Sequence, residues 1–120
     1  MTQHSSLSPE RWARFSRDRQ LMMIANEMNR ATRLMAADDG HSRNLAYERV
    51  LRLADLTVEV NPKRAFRREL LRWRDLVGAL YLAAAPDSGA HRAALLSLLQ
   101  MSPAAAAQIP YLLGEDSSHA

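Results

Sequence analysis

The chain has 120 residues, of which 48% are hydrophobic and 24% are charged, a size and balance typical of one globular domain and not of a disordered chain. It contains no cysteine, which excludes disulfide bonds and thiolate metal sites. The formal net charge is +3, and all but one of the 16 basic side chains are arginine, a bias that GC-rich coding also produces.

Residues 1–7 are polar and are predicted to form a tail, without the apolar run of a signal peptide. A helix is predicted to begin after Ser8, which can cap it, because Pro9 suits the first helical position. From residue 21 onward, apolar residues recur every three or four positions and form one stripe on this helix. The stripe consists of Leu21, Ile24, Met28, Ala31 and Met35. The segment ADDGHS is predicted to end the helix at Gly40, with Ser42 as the next cap.

The second helix is predicted over about residues 42–60. It ends before Asn61-Pro62, because a residue that precedes proline disfavours helical geometry. Its predicted buried residues are Ala46, Val50, Leu53, Thr57 and Val60. A third helix is predicted over about residues 63–85, where apolar side chains follow the helical period. Its predicted buried residues are Phe66, Leu70, Trp73, Val77, Leu80, Tyr81 and Ala84.

The segment APDSG predicts a turn, and a fourth helix follows over about residues 90–101 with Leu95, Leu98 and Leu99 inward. Ser102-Pro103 then begins a short helical piece that Pro110 stops, and residues 114–120 form a polar tail. No segment alternates as a strand would, and short connections make successive helices antiparallel neighbours. The sequence therefore predicts an all-α, single-domain, up-and-down bundle of about four helices over residues 8–113, with a short C-terminal helical extension. Its longest apolar stretch is about half the length of a membrane span, so a cytoplasmic location without membrane contact is expected.

The third helix concentrates positive charge. Its cations are Lys63, Arg64, Arg67, Arg68, Arg72 and Arg74. On a helical projection its arginines spread over about 80 to 240 degrees from Phe66, interrupted by Glu69 and Asp75. Three interpretations remain open: a solvated face whose arginine stems cover apolar surface, a surface that contacts nucleic-acid phosphates without reading bases, or an interface with an acidic protein.

Four apolar residues near the start of the chain form a candidate partner interface. They are Trp12, Phe15, Met22 and Met23. Trp12 and Phe15 lie about a quarter to a half turn away from the apolar stripe, so this part of the helix is expected to pack on a second surface. Trp12 is also near a terminus, which makes it a candidate exposed anchor for another chain. The two methionines are adaptable packing residues or part of a dimer seam. Trp73, in contrast, lies on its helix's apolar stripe and is expected in the core.

No catalytic motif is recognisable in the sequence. The segment DDGH has oxygen and nitrogen ligands but no second cluster to complete a metal site, so a helix-end turn is expected. There is no glycine-rich phosphate loop and no assignable catalytic triad, and no cofactor is expected. The other histidines, His4, His91 and His119, are isolated in the sequence. An enzyme built around Glu27 and Asp55 on separate helices is the weakest alternative.

The segments QLMMIANEMNRA, AYERVLRLADLT and RRELLRWRDLV resemble a family of small, uncharacterised bacterial helical proteins over about residues 10–80. The resemblance rests on Gln20, Glu27–Ala31, Ala46–Thr57 and Arg68–Arg74, and it implies a compact bundle without implying an activity. A looser resemblance is to HEPN-type bundles, which pair with minimal nucleotidyltransferases or act as RNases. The RNase branch requires an arginine four to six residues before a late histidine, a spacing that this sequence does not contain.

Small basic bundles also serve as non-catalytic subunits of ribonucleoprotein complexes, including the small subunits of CRISPR effectors, by analogy of size, charge and helix content alone. The sequence therefore favours a non-enzymatic binding module, an accessory subunit of a nucleic-acid-handling assembly. It leaves open whether the nucleic acid is RNA or DNA. The alternative is a protein–protein adaptor or a homo-oligomer that uses the candidate partner interface.

Overall fold

The computed structural model describes residues 7–114, and all regular structure in this range is helical. The helices are α1 (Pro9–Trp12), α2 (Arg17–Ala36), α3 (Gly40–Val60), α4 (Arg64–Leu82), α5 (Ser88–Leu99) and α6 (Pro103–Ala106), followed by a π-helical turn at Pro110–Gly114. Helices α2 and α4 each pack against both α3 and α5, which closes a four-helix bundle. Helix α1 lies on α3, and α6 lies on α2. The predicted all-α bundle with a short C-terminal extension is confirmed.

The predicted apolar stripes meet in the centre of the bundle. Their buried members are Leu21, Ile24, Met28, Ala31, Ala46, Val50, Leu53, Thr57, Phe66, Leu70, Trp73, Val77, Leu80, Leu95, Leu98 and Leu99. Met35, Val60 and Tyr81 are only half-buried, and Ala84 is exposed because α4 ends at Leu82. Most of each predicted stripe is therefore confirmed, and the residues nearest the helix ends account for the differences.

The predicted first helix is interrupted at residues 13–16. Ser16 adopts an extended conformation and accepts a hydrogen bond from the Arg19 amide, so it caps a new helix. The side-chain amide of Gln20 donates to the carbonyls of Trp12 and Phe15 at 2.9 and 3.0 Å, which ties the break to the first turn of α2. The prediction of one continuous helix was wrong because no glycine or proline marks this break.

The connection between α2 and α3 also differs from the prediction. Asp38, with a φ of 55°, takes the left-handed conformation expected of a glycine at the helix end. Asp39 caps α3 by accepting a hydrogen bond from the Ser42 amide at 3.0 Å, and this bond lowers the pKa of Asp39. Gly40 is therefore the first residue of α3 and not a stop, and Ser42 is not the cap. Aspartate suits both the left-handed position and the cap because its short side chain can form hydrogen bonds to the local backbone.

The later boundaries follow the same capping chemistry. Asp87 accepts a hydrogen bond from the Ala90 amide at 2.8 Å, so α5 begins at Ser88, two residues earlier than predicted. Ser102 caps α6 as expected of Ser102-Pro103. Of the two predicted tails, Leu7 packs against the core, whereas residues 1–6 and 115–120 lie outside the described residues. Within residues 7–114, no helix is both long and apolar enough to cross a membrane.

Candidate functional site

Two of the six cations predicted on the third helix are engaged within the chain. Arg67 donates to the carbonyls of Asn61 and Glu59, at 2.5 and 3.1 Å, and so caps the C-terminal end of α3. Arg74 forms a two-bond ion pair with Asp55 of α3, at 2.5 and 3.2 Å, and the bond to that carboxylate raises the pKa of Arg74. Both arginines therefore fasten α4 to α3, a role that the sequence did not indicate.

The other four cations, Lys63, Arg64, Arg68 and Arg72, form what we call the basic face. All four are exposed, and their side chains make no hydrogen bond or ion pair with the residues that the structure describes. The three arginines are spaced four residues apart on one helix, so they form a row that advances about 6 Å per step. The guanidinium of Arg17 lies 4.8 Å from the centre of the Phe66 ring, which adds a fifth cation near the start of the row.

From near its middle onward, α4 exposes leucines. Leu71, Leu76 and Leu82 have 45%, 56% and 82% of their surface accessible, which is high for large apolar side chains. Leu76 also lines a shallow groove of about 300 Å³ between α4 and α5, together with Arg72. The outer side of α4 is thus basic in its first half and increasingly apolar toward its end.

The candidate partner interface near the start of the chain is not assembled on the surface. Trp12 is completely buried, and its indole nitrogen donates to the Thr57 hydroxyl at 2.9 Å, so the interpretation of Trp12 as an exposed anchor is wrong. Phe15 contacts the Trp12 ring edge-on, with the ring centres 5.7 Å apart. Phe15, Met22 and Met23 are half-buried and pack against the core. The break before Ser16 explains the correction, because it turns α1 independently of α2.

The two carboxylates considered for catalysis lie in different contacts. Glu27 reaches to 4.0 Å from the Arg49 guanidinium of α3, in a largely buried pair, whereas Asp55 pairs with Arg74. In the part of the chain that the structure describes, no three His, Asp or Glu side chains are grouped to hold a metal ion.

A cavity of about 820 Å³ next to His91 was not predicted from the sequence. It lies between the C-terminal half of α2, the start of α5 and the π-helical turn. His91 is buried beneath it, with Nδ1 2.8 Å from the Tyr47 hydroxyl, and Nε2 2.8 Å from the Thr32 hydroxyl and 3.2 Å from the Met28 carbonyl. His91 is thus held by α2 on one side and by α3 on the other.

The hydrogen bonds fix the protonation of His91. The Met28 carbonyl can only accept, so Nε2 carries the proton and Nδ1 accepts from Tyr47. Burial lowers the pKa of His91 and raises the pKa of Tyr47 to about 12, so both groups are neutral at pH 7. A sequence signal existed: His91 lies four residues before Leu95, on the inward side of α5.

No protein-family model, no curated protein and no solved structure matches this chain. The resemblances suggested by its sequence segments therefore stay predictions. Function is inferred below from the surfaces of the chain itself.

Proposed function

We propose that this chain is a non-catalytic helical binding module whose basic face contacts the phosphate backbone of a nucleic acid, as an accessory part of a larger assembly. The observation that supports this proposal most strongly is the row of Arg64, Arg68 and Arg72, exposed and without ionic partners among the described residues. Exposed guanidinium groups are donors in a fixed fork that suits phosphate oxygens. A row on one rigid helix holds several of them at a constant spacing.

The same surface is not suited to reading bases. The two aromatic rings nearest the row, Phe66 and Trp73, are buried, so neither can stack on a base. Contacts would be made to phosphate alone, which position a nucleic acid without selecting its sequence. The proposed activity is therefore tolerant of sequence and sensitive to salt.

The number of cations limits the affinity of the isolated chain. Four phosphate contacts correspond to non-specific binding, with a Kd on the order of 10⁻⁴ to 10⁻⁶ M at physiological salt. Such a module needs a partner that adds contacts before it can hold a nucleic acid tightly, because linked sites bind with a raised effective concentration. This is the reason for proposing an accessory subunit instead of an autonomous binding protein.

The proposal is tested with two variants of equal charge. One replaces the row, Arg64→Gln, Arg68→Gln and Arg72→Gln, and the control replaces three exposed arginines outside α4. The control is Arg14→Gln, Arg30→Gln and Arg33→Gln. Fluorescence anisotropy with a labelled single strand and a labelled duplex at low salt should show about a tenfold or greater loss for the row and about twofold for the control. Equal losses would mean that net charge alone attracts the nucleic acid, and the basic face would not be a site.

The exposed leucines of α4 favour a second candidate, a protein-binding or self-associating module. Under this alternative, Leu71→Ser with Leu76→Ser changes the mass measured by analytical ultracentrifugation, or abolishes binding of a protein partner. The row variant would leave that assembly intact. A wild-type chain that is monomeric, together with a leucine variant that binds nucleic acid normally, would exclude self-association through these residues.

A further inference from the structure

We infer that the cavity beside His91 binds a small amphiphilic molecule, with an apolar body and an uncharged head that donates hydrogen bonds, such as an arylamine. The cavity is lined by other residues than the basic face, so this inference stands apart from the proposed nucleic-acid role. Three features support it: the size of the cavity, its apolar wall and the character of its polar groups.

Size and wall together suit an apolar body. The volume of about 820 Å³ lies within the range of roughly 300–1,000 Å³ found for small-molecule sites. Met35 of α2 and Leu112 and Leu113 of the π-helical turn line it, and all three are only half-buried. A bound apolar group would remove their remaining surface from water, which is favourable in proportion to the area covered.

The π-helical turn closes one side of the cavity. Arg92 of α5 donates to the Leu113 carbonyl at 2.7 Å, and this bond ties the turn to the bundle. This wall therefore joins the π-helical turn to parts of the chain that are far from it in sequence.

The polar groups of the cavity favour a donor on the ligand. Thr32 donates its hydroxyl proton to the Met28 carbonyl at 3.1 Å, so only its lone pairs are left for other groups, and one of them faces His91. One carboxylate oxygen of Asp87 accepts from the Ala90 amide, and the other has no hydrogen-bond partner among the described residues. Both groups therefore accept hydrogen bonds, while Asn29 and Ser88 can donate or accept.

Charge in the cavity disfavours an anion. The Asp87 carboxylate lies on the lining and would repel a second negative charge, and the neutral imidazole of His91 offers no compensation. The positive charge of Arg92, which also lines the cavity, balances that of Asp87, and its guanidinium donates to the Leu113 carbonyl, so the lining has no net positive charge to hold an anion. An uncharged donor therefore fits this lining better than a carboxylate, sulfonate or phosphate.

Two fluorescent probes that share one ring system test whether the cavity binds an apolar body and whether it prefers an uncharged head to an anionic one. N-phenyl-1-naphthylamine is a neutral amine, and 8-anilino-1-naphthalenesulfonate adds an anionic group to the same body. Titrated into the full chain, the neutral probe should saturate at one site, and the sulfonate should bind that site about tenfold more weakly or less well still. The probes are excited beyond tryptophan absorption, so that variants containing an added tryptophan remain comparable.

Filling the cavity identifies the site. Ala36→Trp and Ala85→Trp each place a large ring on the cavity lining, whereas Ala93→Trp is a matched control on the exposed side of α5. Each filling variant should weaken the neutral probe by about tenfold or more, and the control should stay within about twofold. The sulfonate probe can also bind to the arginines of α4. That binding is distinguished from binding in the cavity because the filling variants leave its affinity unchanged.

Asp87→Asn supplies a second test that does not depend on the filling variants. Asparagine still caps α5, so the fold is retained, but the negative charge is removed. The sulfonate should then approach the neutral probe in affinity. The inference is overturned if the wild-type chain does not bind the neutral probe, or if neither filling variant weakens that binding. It is also overturned if the sulfonate probe binds the same site of the wild-type chain as tightly as the neutral probe does.

Discussion

Arg67 and Arg68 are neighbours in sequence, but Arg67 bonds the end of α3, whereas Arg68 is exposed on the basic face. Two single substitutions therefore separate a role in stability from a role in binding nucleic acid. Arg67→Gln removes two charge-assisted hydrogen bonds to the last carbonyls of α3. Because Arg67 is half-buried and water can partly replace those bonds, the expected loss of unfolding free energy is about 1–2 kcal/mol. For a domain of this size, that corresponds to a fall in Tm of roughly 5–10 °C.

Arg68→Gln is the matched control, because Arg68 is exposed and without a side-chain partner among the described residues. Its unfolding free energy should change by less than about 0.5 kcal/mol. Urea denaturation followed by circular dichroism measures both values, and anisotropy measures nucleic-acid affinity on the same samples. The reasoning is refuted if the two variants have the same unfolding free energy, or if Arg67→Gln weakens nucleic-acid binding more than Arg68→Gln does.

Three further predictions concern the core, a surface ion pair and pH. Trp12→Ala should cost about 3–5 kcal/mol in urea denaturation, since it leaves a cavity and deprives Thr57 of a donor, whereas an exposed Trp12 would cost little. Arg74→Gln should cost only about 0.2–1 kcal/mol in the same assay, because its partner Asp55 is 52% exposed, and a larger loss would show that the pair does more than join two surfaces. Burial lowers the pKa of His91, so its contribution to stability is complete above about pH 6.5 and is lost as the pH falls from there toward the folded-state pKa. Denaturation of wild type and His91→Gln from pH 7.5 to 5 should show a flatter pH dependence in the variant, and parallel curves would contradict this assignment.

The bundle itself was predictable because its helices repeat apolar side chains over several turns. Helix α4 carries five buried residues at spacings of three and four, from Phe66 to Leu80, and that pattern specifies both a helix and its inward side. Its start was marked by the preceding proline at position 62. Asp39 and Ser16 set two of the other boundaries by capping, and the sequence pattern did not locate them because such side chains are also common in loops.

The roles of individual arginines on α4 were not predictable to the same degree. Arg67 and Arg74 project at about 80 to 100 degrees from Phe66, beside the buried side, whereas Arg64, Arg68 and Arg72 project at about 160 to 240 degrees. A position beside the buried side can reach a neighbouring helix, but the sequence does not say what the neighbour offers. Only the packing of α3 against α4 supplies Asp55 and the carbonyl of Asn61.

The cavity beside His91 could not be predicted, because it belongs to no single segment. Its lining comes from α2, from the connection after α4, from α5 and from the π-helical turn, so it exists only once these parts pack together. The burial of Trp12 also depends on how separate segments pack together. Helical periodicity placed this residue off the apolar stripe of α2 and left its burial open, and the break before Ser16 orients α1 separately so that Trp12 is buried.

The most direct test of the basic face is the salt dependence of single-strand binding. Four phosphate contacts predict a slope of about −3 in a plot of log affinity against log salt, which is roughly a fifty-fold loss of affinity from 50 to 200 mM. Replacing Arg64, Arg68 and Arg72 with glutamine should reduce the slope to about −1, because only Lys63 of the basic face is left. A wild-type chain that does not bind at the lowest salt, or a variant whose slope is unchanged, would contradict the proposal that this face holds a nucleic-acid backbone.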